Sequence, residues 1–185
     1  MNLSIRKWRI SDKSDLAENL SNPKVLNNLR DGLPYPYTEQ DAEAYIKSML
    51  SADKDSTYAF AITLDDKAIG SIGVFQQDNI HFRTAEMGYY IGEPYWGHGY
   101  MPEAVKEVMR YAFEELKVPV IYCGHAKANI NSSRLQDKCG FKIIGELPNY
   151  RTWVDGSTTS LIERRMTSDE YFEMKKSFGG IKNGK

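Results

Sequence analysis

A stretch near the middle of the chain, YYIGEPYWGHGYMPEA at residues 89–104, joins an aromatic strand-like run to a helix-like run through a turn with two glycines. Gly97 and Gly99 lack a Cβ atom, so they leave room for a ligand to approach the backbone. Pro102 suits the first turn of a helix, where its missing N–H removes no hydrogen bond. The first N–H groups of a helix have no partner within it and have a partial positive charge. The stretch therefore predicts a cradle for an anion such as a pyrophosphate.

Two familiar nucleotide-binding patterns do not fit this turn. The dinucleotide pattern GxGxxG needs a third glycine where Pro102 stands, and the P-loop needs a GK[ST] sequence, which the chain lacks here. A GxG turn is also common as a plain tight connection. The nature of the ligand must therefore come from the residues around the turn.

The remaining patterns predict one α/β domain with a mixed sheet. Thr38 is placed to cap a helix whose apolar residues recur at helical spacing. A longer helical stripe from Met101 to Leu116 separates two strands, which predicts that these two strands run parallel. The predicted strands cover residues 3–10, 58–64, 67–77, 81–92, 118–126, 142–147, 149–154 and 158–166, with a turn at Asp155–Gly156, and a short helix covers residues 131–139 and stops at Gly140.

Composition excludes several classes of protein. The chain has 185 residues, a net charge of −1 and a pI of about 6.3, so it has no overall positive field to attract a nucleic acid. No apolar run reaches the length of a membrane helix, and the first residues lack a signal peptide's apolar core, which predicts a cytoplasmic protein. Two cysteines without CxxC spacing and three scattered histidines predict packed thiols and no metal site.

Two segments that lie one strand apart, residues 85–104 and 128–141, resemble the GNAT superfamily of acetyl-CoA-dependent N-acetyltransferases. Within it, the chain is most similar to the branch with the ribosomal-protein N-terminal acetyltransferases. The resemblance covers about residues 3–167. It implies an α/β fold with a mixed, mostly antiparallel central sheet that is splayed between its central strands and flanked by helices. We expect a single domain over residues 1–167 and a C-terminal helix or tail over residues 168–185.

The same resemblance implies that acetyl-CoA lies where the central strands separate. Its pyrophosphate is expected on the N–H groups of residues 97–101. Trp96 and Met101 depart from the wider family, which has Gln or Arg at the first place and Gly or Ala at the second. Cations from elsewhere must then neutralise the phosphates, and Lys138, Arg134 and His98 are candidates that would otherwise be plain surface charges. The expected cofactor-binding residues are Tyr89, Ile91, Trp96, Gly97, His98, Gly99, Tyr100, Met101, Asn129, Ser132 and Lys138.

Amide formation needs a neutral amine and an acid for the departing thiolate. By resemblance, Ser132 lies near the thioester sulfur and is the candidate acid, although a serine at a helix start can instead be an N-cap, with Asn131 as a competing cap. Glu86 is the candidate base, acting through water; alternatively it is a strand residue paired with a cation. Glu163 is a second candidate base. Ser160 occupies the place where the branch often has an aspartate.

The resemblance therefore implies an enzyme that transfers an acetyl group to a primary amine by direct attack on the thioester. The alternatives are a catalytically silent CoA-binding module and, against the charge balance, a nucleic-acid-binding protein. The acceptor stays open among a protein N-terminus, a polyamine, an amino sugar and another small amine. The segment Leu29–Tyr37 is expected either to recognise it or simply to pack. A monomer and a homodimer are both compatible with the sequence.

Overall fold

Strands and helices alternate along the residues that the computed structural model of the protein describes, which are 2–29, 33–52, 57–78, 83–152 and 157–179. The strands are β1 (Leu3–Lys7), β2 (Thr57–Leu64), β3 (Lys67–Gln76), β4 (Thr84–Ile91), β5 (Val120–Ala126), β6 (Lys142–Thr152) and β7 (Thr158–Thr167). The α-helices are α1 (Lys13–Leu20), α2 (Pro23–Leu26), α3 (Glu39–Ser51), α4 (Tyr100–Arg110), α5 (Ile130–Lys138) and α6 (Ser168–Gly179).

The strands form one mixed, mostly antiparallel sheet in the order β1-β2-β3-β4-β5-β7-β6. The pairs β1–β2, β2–β3, β5–β7 and β6–β7 are antiparallel, and β4 pairs with β5 in parallel. The prediction of parallel strands around the long helical segment is therefore confirmed. The parallel pairing joins Thr84–Glu86 to Val120–Tyr122 only, although β4 has eight residues and β5 has seven. So short a pairing is what the resemblance implies for the splayed central strands.

Contacts divide the chain into two units, Met1–Gln76 with Met87–Val108 and Gln77–Glu86 with Met109–Lys185. An apolar cluster in the first unit is contributed by β2, β3, the first three helices and two residues beside these elements, Trp8 after β1 and Tyr37 before α3. Its buried members are Trp8, Leu16, Ala17, Leu20, Val25, Tyr37, Ala42, Ile46, Ala61 and Ala68. Because these helices each bury one stripe of apolar residues, they cover this part of the sheet.

Helix α3 begins as its sequence predicts. The Thr38 side chain accepts a hydrogen bond from the backbone N–H of Asp41, and the Asp41 carboxylate accepts one from the Thr38 N–H at 2.9 Å. This reciprocal cap satisfies two donors that the helix itself cannot pair. Ala42 and Ile46 are fully buried, so the predicted apolar stripe is core packing.

The second unit packs helices against one face of β5 and β7. Ile121 and Met166 are buried on that face, and the ring of Tyr171 on α6 stacks on Phe113 with centroids 4.8 Å apart. Cys123 and Cys139 are both buried and form no disulfide, as the sequence predicts. Burial raises the pKa of the Cys123 thiol, so this cysteine is a packing residue rather than a nucleophile.

Two local predictions need correction. The long helical stripe is not one regular helix, since α4 ends at Arg110 and a π-helical turn follows over Tyr111–Glu115. The two strands predicted over residues 142–154 form the single strand β6, which keeps its pairing with β7 through two register shifts.

Two predictions are not tested by the described residues. The Asp155–Gly156 turn lies outside the described residues, and the single-domain boundary at residue 167 stays a prediction. No helix in the described ranges has both the length and the apolar character needed to cross a membrane. The same ranges contain no group of three or more metal-ligating side chains.

Candidate functional site

The glycine turn lies in the first unit, between the end of β4 at Ile91 and the start of α4 at Tyr100. Gly97 and Gly99 have φ angles of +78° and +81°, a backbone conformation that residues with a Cβ atom rarely adopt. A Cβ atom built at either position would meet no atom within 4 Å. The backbone therefore requires glycine twice, and the space beside both residues is open to a ligand.

Hydrogen bonds within the turn fix its shape. The Trp96 indole N–H donates to the carbonyl of Ile91 at 2.8 Å, which closes the loop back onto the end of β4. The carbonyl of Trp96 in turn bonds to Nδ1 of His98 at 2.8 Å, and the His98 ring stacks on Tyr100. Trp96 also packs against the core of the first unit. Its side chain therefore maintains the turn, which explains why it can stand where the wider family has Gln or Arg.

The charges beside the turn favour an anion. Residues 96–101 contain no carboxylate. Glu93, just before the turn, bonds to Lys24 and accepts a hydrogen bond from Asn22 at 2.6 Å, and the bond from Lys24 is the largest cause of its lowered pKa. Glu103, in the first turn of α4, pairs with Lys106 at 3.0 Å. Both neighbouring carboxylates are thus neutralised, and the N-terminus of α4 keeps its attraction for negative charge.

Part of the backbone at the end of β4 is already hydrogen-bonded within the protein. The Ile91 carbonyl already accepts the Trp96 indole bond, and the Gly92 N–H donates to Ile69 at 2.8 Å. A carbonyl oxygen has a second lone pair, so Ile91 can still accept a bond from an extended ligand. Tyr89, two residues earlier, is half-buried.

Helix α5, in the second unit, contains the predicted catalytic serine. Its N-cap is Asn129, whose side-chain oxygen accepts a hydrogen bond from the backbone N–H of Ser132 at 3.1 Å. The idea that Ser132 or Asn131 caps this helix is therefore wrong. Ser132 is the third residue of the helix and half-buried, and its hydroxyl is not needed for capping. The sequence offered four neighbouring polar residues, and only the backbone angles decide which of them is the cap.

Glu86 and Glu163, the two candidate bases, lie on one face of the sheet. Glu86 pairs with Tyr122, Glu163 pairs with Gly124, and these two partners are two residues apart on β5. Glu86 is exposed and has no ion-pair partner among the described residues. Helix α5 covers the opposite face, where its side chains bond to buried residues of β5 and β7. Ser132 and the two glutamates are therefore separated by the sheet.

A family model, the Acetyltransferase (GNAT) domain, matches residues 2–142 of the chain. The chain belongs to the GNAT acetyltransferase family. Probable N-acetyltransferase YjcK of Bacillus subtilis (strain 168) is 40% identical over 91 residues, which are 48% of this chain and 50% of that protein. The match thus spans about half the length of that relative.

Solved GNAT-like structures agree with the fold over nearly the whole chain. A ribosomal-protein-S5-alanine acetyltransferase from Vibrio fischeri superposes with a TM-score of 0.78, at 18% identity, over 92% of this chain and 96% of its own. A spermidine N-acetyltransferase from Vibrio cholerae, in complex with CoA and spermine, superposes with a TM-score of 0.77, at 19% identity, over 92% and 98%. At such identities the likeness establishes the fold alone.

The GNAT chain has a carboxylate close to the position where its branch often has aspartate. Ser160 stands at that position, and Glu146 on the neighbouring strand β6 accepts hydrogen bonds from Lys127, at 2.9 Å, and from Ser160. These bonds, with Lys127 the larger cause, lower the pKa of Glu146. The sequence analysis did not single out Glu146, because its closeness to Ser160 depends on the register of β6 with β7.

The candidate phosphate partners on α5 are available for contact. Lys138 and Arg134 are exposed, and neither pairs with a carboxylate within the part of the chain that the structure describes. In the recognition segment Leu29–Tyr37, Tyr37 is buried in the core, whereas Tyr35 is 63% exposed. Burial raises the pKa of Tyr37 to about 12. Part of that segment is therefore packing, and Tyr35 is the aromatic side chain that can still meet a substrate.

Proposed function

We propose that this GNAT chain is an acetyl-CoA-dependent N-acetyltransferase that moves the acetyl group to a primary amine. The observation that supports this most directly is the open turn at Gly97 and Gly99, where a helix N-terminus lies bare beside two positive-φ glycines. A pyrophosphate fits this place because backbone N–H groups and the helix dipole both favour it.

Acetyl-CoA supplies the acetyl group as a thioester when it is bound. In this proposal, residues 97–101 hold its pyrophosphate through their backbone N–H groups, while Lys138 and Arg134 stay candidates from the sequence. Asn129 keeps its side-chain amide N–H groups for the pantetheine, because only its oxygen is used for the helix cap.

The candidate acid and bases account for the two proton transfers of the reaction. The amine nitrogen attacks the thioester carbon, the C–S bond breaks, the amine loses a proton and the sulfur gains one. In this proposal, Glu86 or Glu163 takes the amine proton through water, and Ser132 donates a proton to the sulfur.

The acceptor is best sought among amines of low pKa. Presenting a lysine-like amine, with pKa about 10.4, in its neutral form at pH 7 costs about 4.6 kcal/mol, whereas an α-amine near 8 costs about 1.4 kcal/mol. An exposed glutamate that acts through water is a modest base, which favours a protein N-terminus over a polyamine. The alternative, a CoA-binding module without catalysis, keeps the same turn but uses neither glutamate.

Calorimetric titration of acetyl-CoA into the protein, followed by a screen for thiol release, tests the proposal. The panel should hold peptides with free N-termini, the same peptides with blocked N-termini, spermidine and an amino sugar. We expect micromolar binding, about −8 kcal/mol, and thiol release with the free peptides only. Binding without release for any amine would support the silent module, and no binding at millimolar acetyl-CoA would refute both.

A further inference from the structure

Helix α5 is held on the sheet mainly by polar contacts. It has nine residues, and the side chains it buries are those of Leu135 and Gln136. One buried leucine is a small apolar face for a helix, and apolar burial alone fixes its position weakly. The contacts that fix α5 must therefore be sought among its polar side chains.

Arg164 of β7 makes the first of these contacts. It is 3% exposed and lies between its register partners Cys123 and Ile143. Its Nη2 donates to the Ser133 hydroxyl at 3.1 Å, and its Nη1 donates to the Asp137 carboxylate and to the Phe141 carbonyl, the latter at 3.1 Å. A single planar group thus contacts the first turn of α5, its last turn and Phe141, the residue just before β6.

His125 of β5 makes the second contact. Its Nδ1 lies 2.8 Å from the side-chain oxygen of Gln136, and both residues are buried. Burial lowers the pKa of His125, so the ring is neutral near pH 7 and its Nδ1–H donates to the amide oxygen. This bond is a second contact to the last turn of the helix, whereas Arg164 contacts both the first turn and the last.

Burying an arginine does not by itself stabilise a fold efficiently. Removing a guanidinium from water is unfavourable, and a hydrophobic residue of similar size is often as stable at such a site. The Nε–H of Arg164 is also buried with no partner among the described residues, which adds to the free-energy cost of burying this side chain. What the rigid guanidinium does supply is direction, since its donors have fixed angles to one another.

We propose that Arg164 is a positioning residue for acetyl transfer. By fixing Ser133, it holds the first turn of α5, so that the adjacent Ser132 and the capping Asn129 keep the orientation that the thioester and the pantetheine need. Arg164 itself lies under the helix and touches neither ligand. This inference rests on the proposed function, because it assigns a role within that reaction.

Three variants test the inference against a purely structural role. Arg164→Met removes all the contacts to α5 and keeps an apolar side chain of similar length. Arg164→Lys keeps the charge without the planar group. Arg165→Met is the matched control, because Arg165 is next along β7, points to the other face and pairs with Glu170 on α6. Each variant is compared in thermal unfolding, in acetyl-CoA affinity, and in kcat and KM for the best amine.

We expect Arg164→Met to stay folded and to lose kcat by about tenfold to a hundredfold, because a displacement of about 1 Å is enough for such a loss. Its acetyl-CoA Kd should rise at least about fivefold through the displaced Asn129, with Arg164→Lys in between and Arg165→Met close to the wild type. Kinetic constants in folded Arg164→Met that match those of Arg165→Met would overturn the inference, whatever the change in melting temperature.

A second variant and a second readout keep the test decisive. If Arg164→Met does not fold, Ser133→Ala removes only the hydroxyl that Arg164 holds, and an unchanged kcat there would overturn the inference. Amide hydrogen exchange over residues 129–133 without cofactor should be faster in Arg164→Met than in Arg165→Met, and equal exchange would refute the hold on α5. If the wild type transfers no acetyl group, the proposed function fails, while the exchange experiment still reports on Arg164.

Discussion

Gly99→Ala tests the cradle with one methyl group. The φ of +81° places this residue in the left-handed region, where a Cβ costs about 1–2 kcal/mol. Because no atom lies within 4 Å of the new Cβ, no clash adds to this strain. For a domain of this length, each kcal/mol lowers the melting temperature by about 2–4 °C. The folded structure should therefore survive with a modest loss of stability.

The effect on the cofactor should be larger than the effect on stability. The new methyl group occupies the open side of the turn, so a phosphate loses at least one close approach to the backbone N–H groups. A hydrogen bond to a charged group contributes about 1.5–3 kcal/mol, which corresponds to a rise in Kd of about 10- to 150-fold. Calorimetric titration with CoA measures this rise directly.

Gly145→Ala is the matched control for the added methyl group. A Cβ at Gly145 on β6 also meets no atom within 4 Å, and this glycine has no positive φ. We expect its CoA affinity and its melting temperature to match the wild type. Reasoning that places the pyrophosphate on this turn would be refuted by a folded Gly99→Ala protein with an unchanged Kd for CoA.

Further predictions concern three residues of the second unit, Ser132, Asn129 and His125. Ser132→Ala should lower kcat at least about tenfold with little change in acetyl-CoA Kd, since the helix cap uses the Ser132 backbone only; equal kcat would exclude the serine as the acid. Asn129→Asp keeps the capping oxygen and removes the amide donors, so the melting temperature should hold while acetyl-CoA affinity falls, and Asn129→Ala should lose both, with about 1 kcal/mol of stability. The pKa of buried His125 is lowered in the folded state, so stability should be full above about pH 6.5 and fall as the pH decreases below it, because the unfolded chain then takes up the proton more readily. Melting temperatures between pH 7.5 and 5.5 should show this slope in the wild type and a flatter one in His125→Gln, and identical slopes would contradict the assignment.

Local sequence signals were enough to predict the turn and most of the elements. Gly97, Gly99 and Pro102 predict a bare turn before a helix because each acts through its own backbone, and the structure has such a turn. Thr38 predicts its helix for the same reason, since a cap and its partner are three residues apart. The family resemblance depends on such stretches and therefore led to the correct fold.

Contacts between residues that are distant in the sequence could not be predicted in this way. Arg164 and Arg165 are neighbours in a charged run, ERRM, and the sequence gives no reason to distinguish them. The register of β7 buries Arg164 under α5 and turns Arg165 to the other face, where it pairs with Glu170. The closeness of Glu146 to Ser160 depends on register in the same way.

The sequence by itself thus determined the family, the glycine turn and the order of the elements, because these follow from backbone preferences and short-range spacing. The tertiary structure alone decided which residue caps α5, which arginine is buried and which side chain closes the cradle. Those choices depend on hydrogen bonds whose geometry is set only when strands pair and helices pack, and residue type does not fix them. The candidate acid and bases stay predictions from the sequence, and only the fold shows that Glu86 and Glu163 share one face of the sheet.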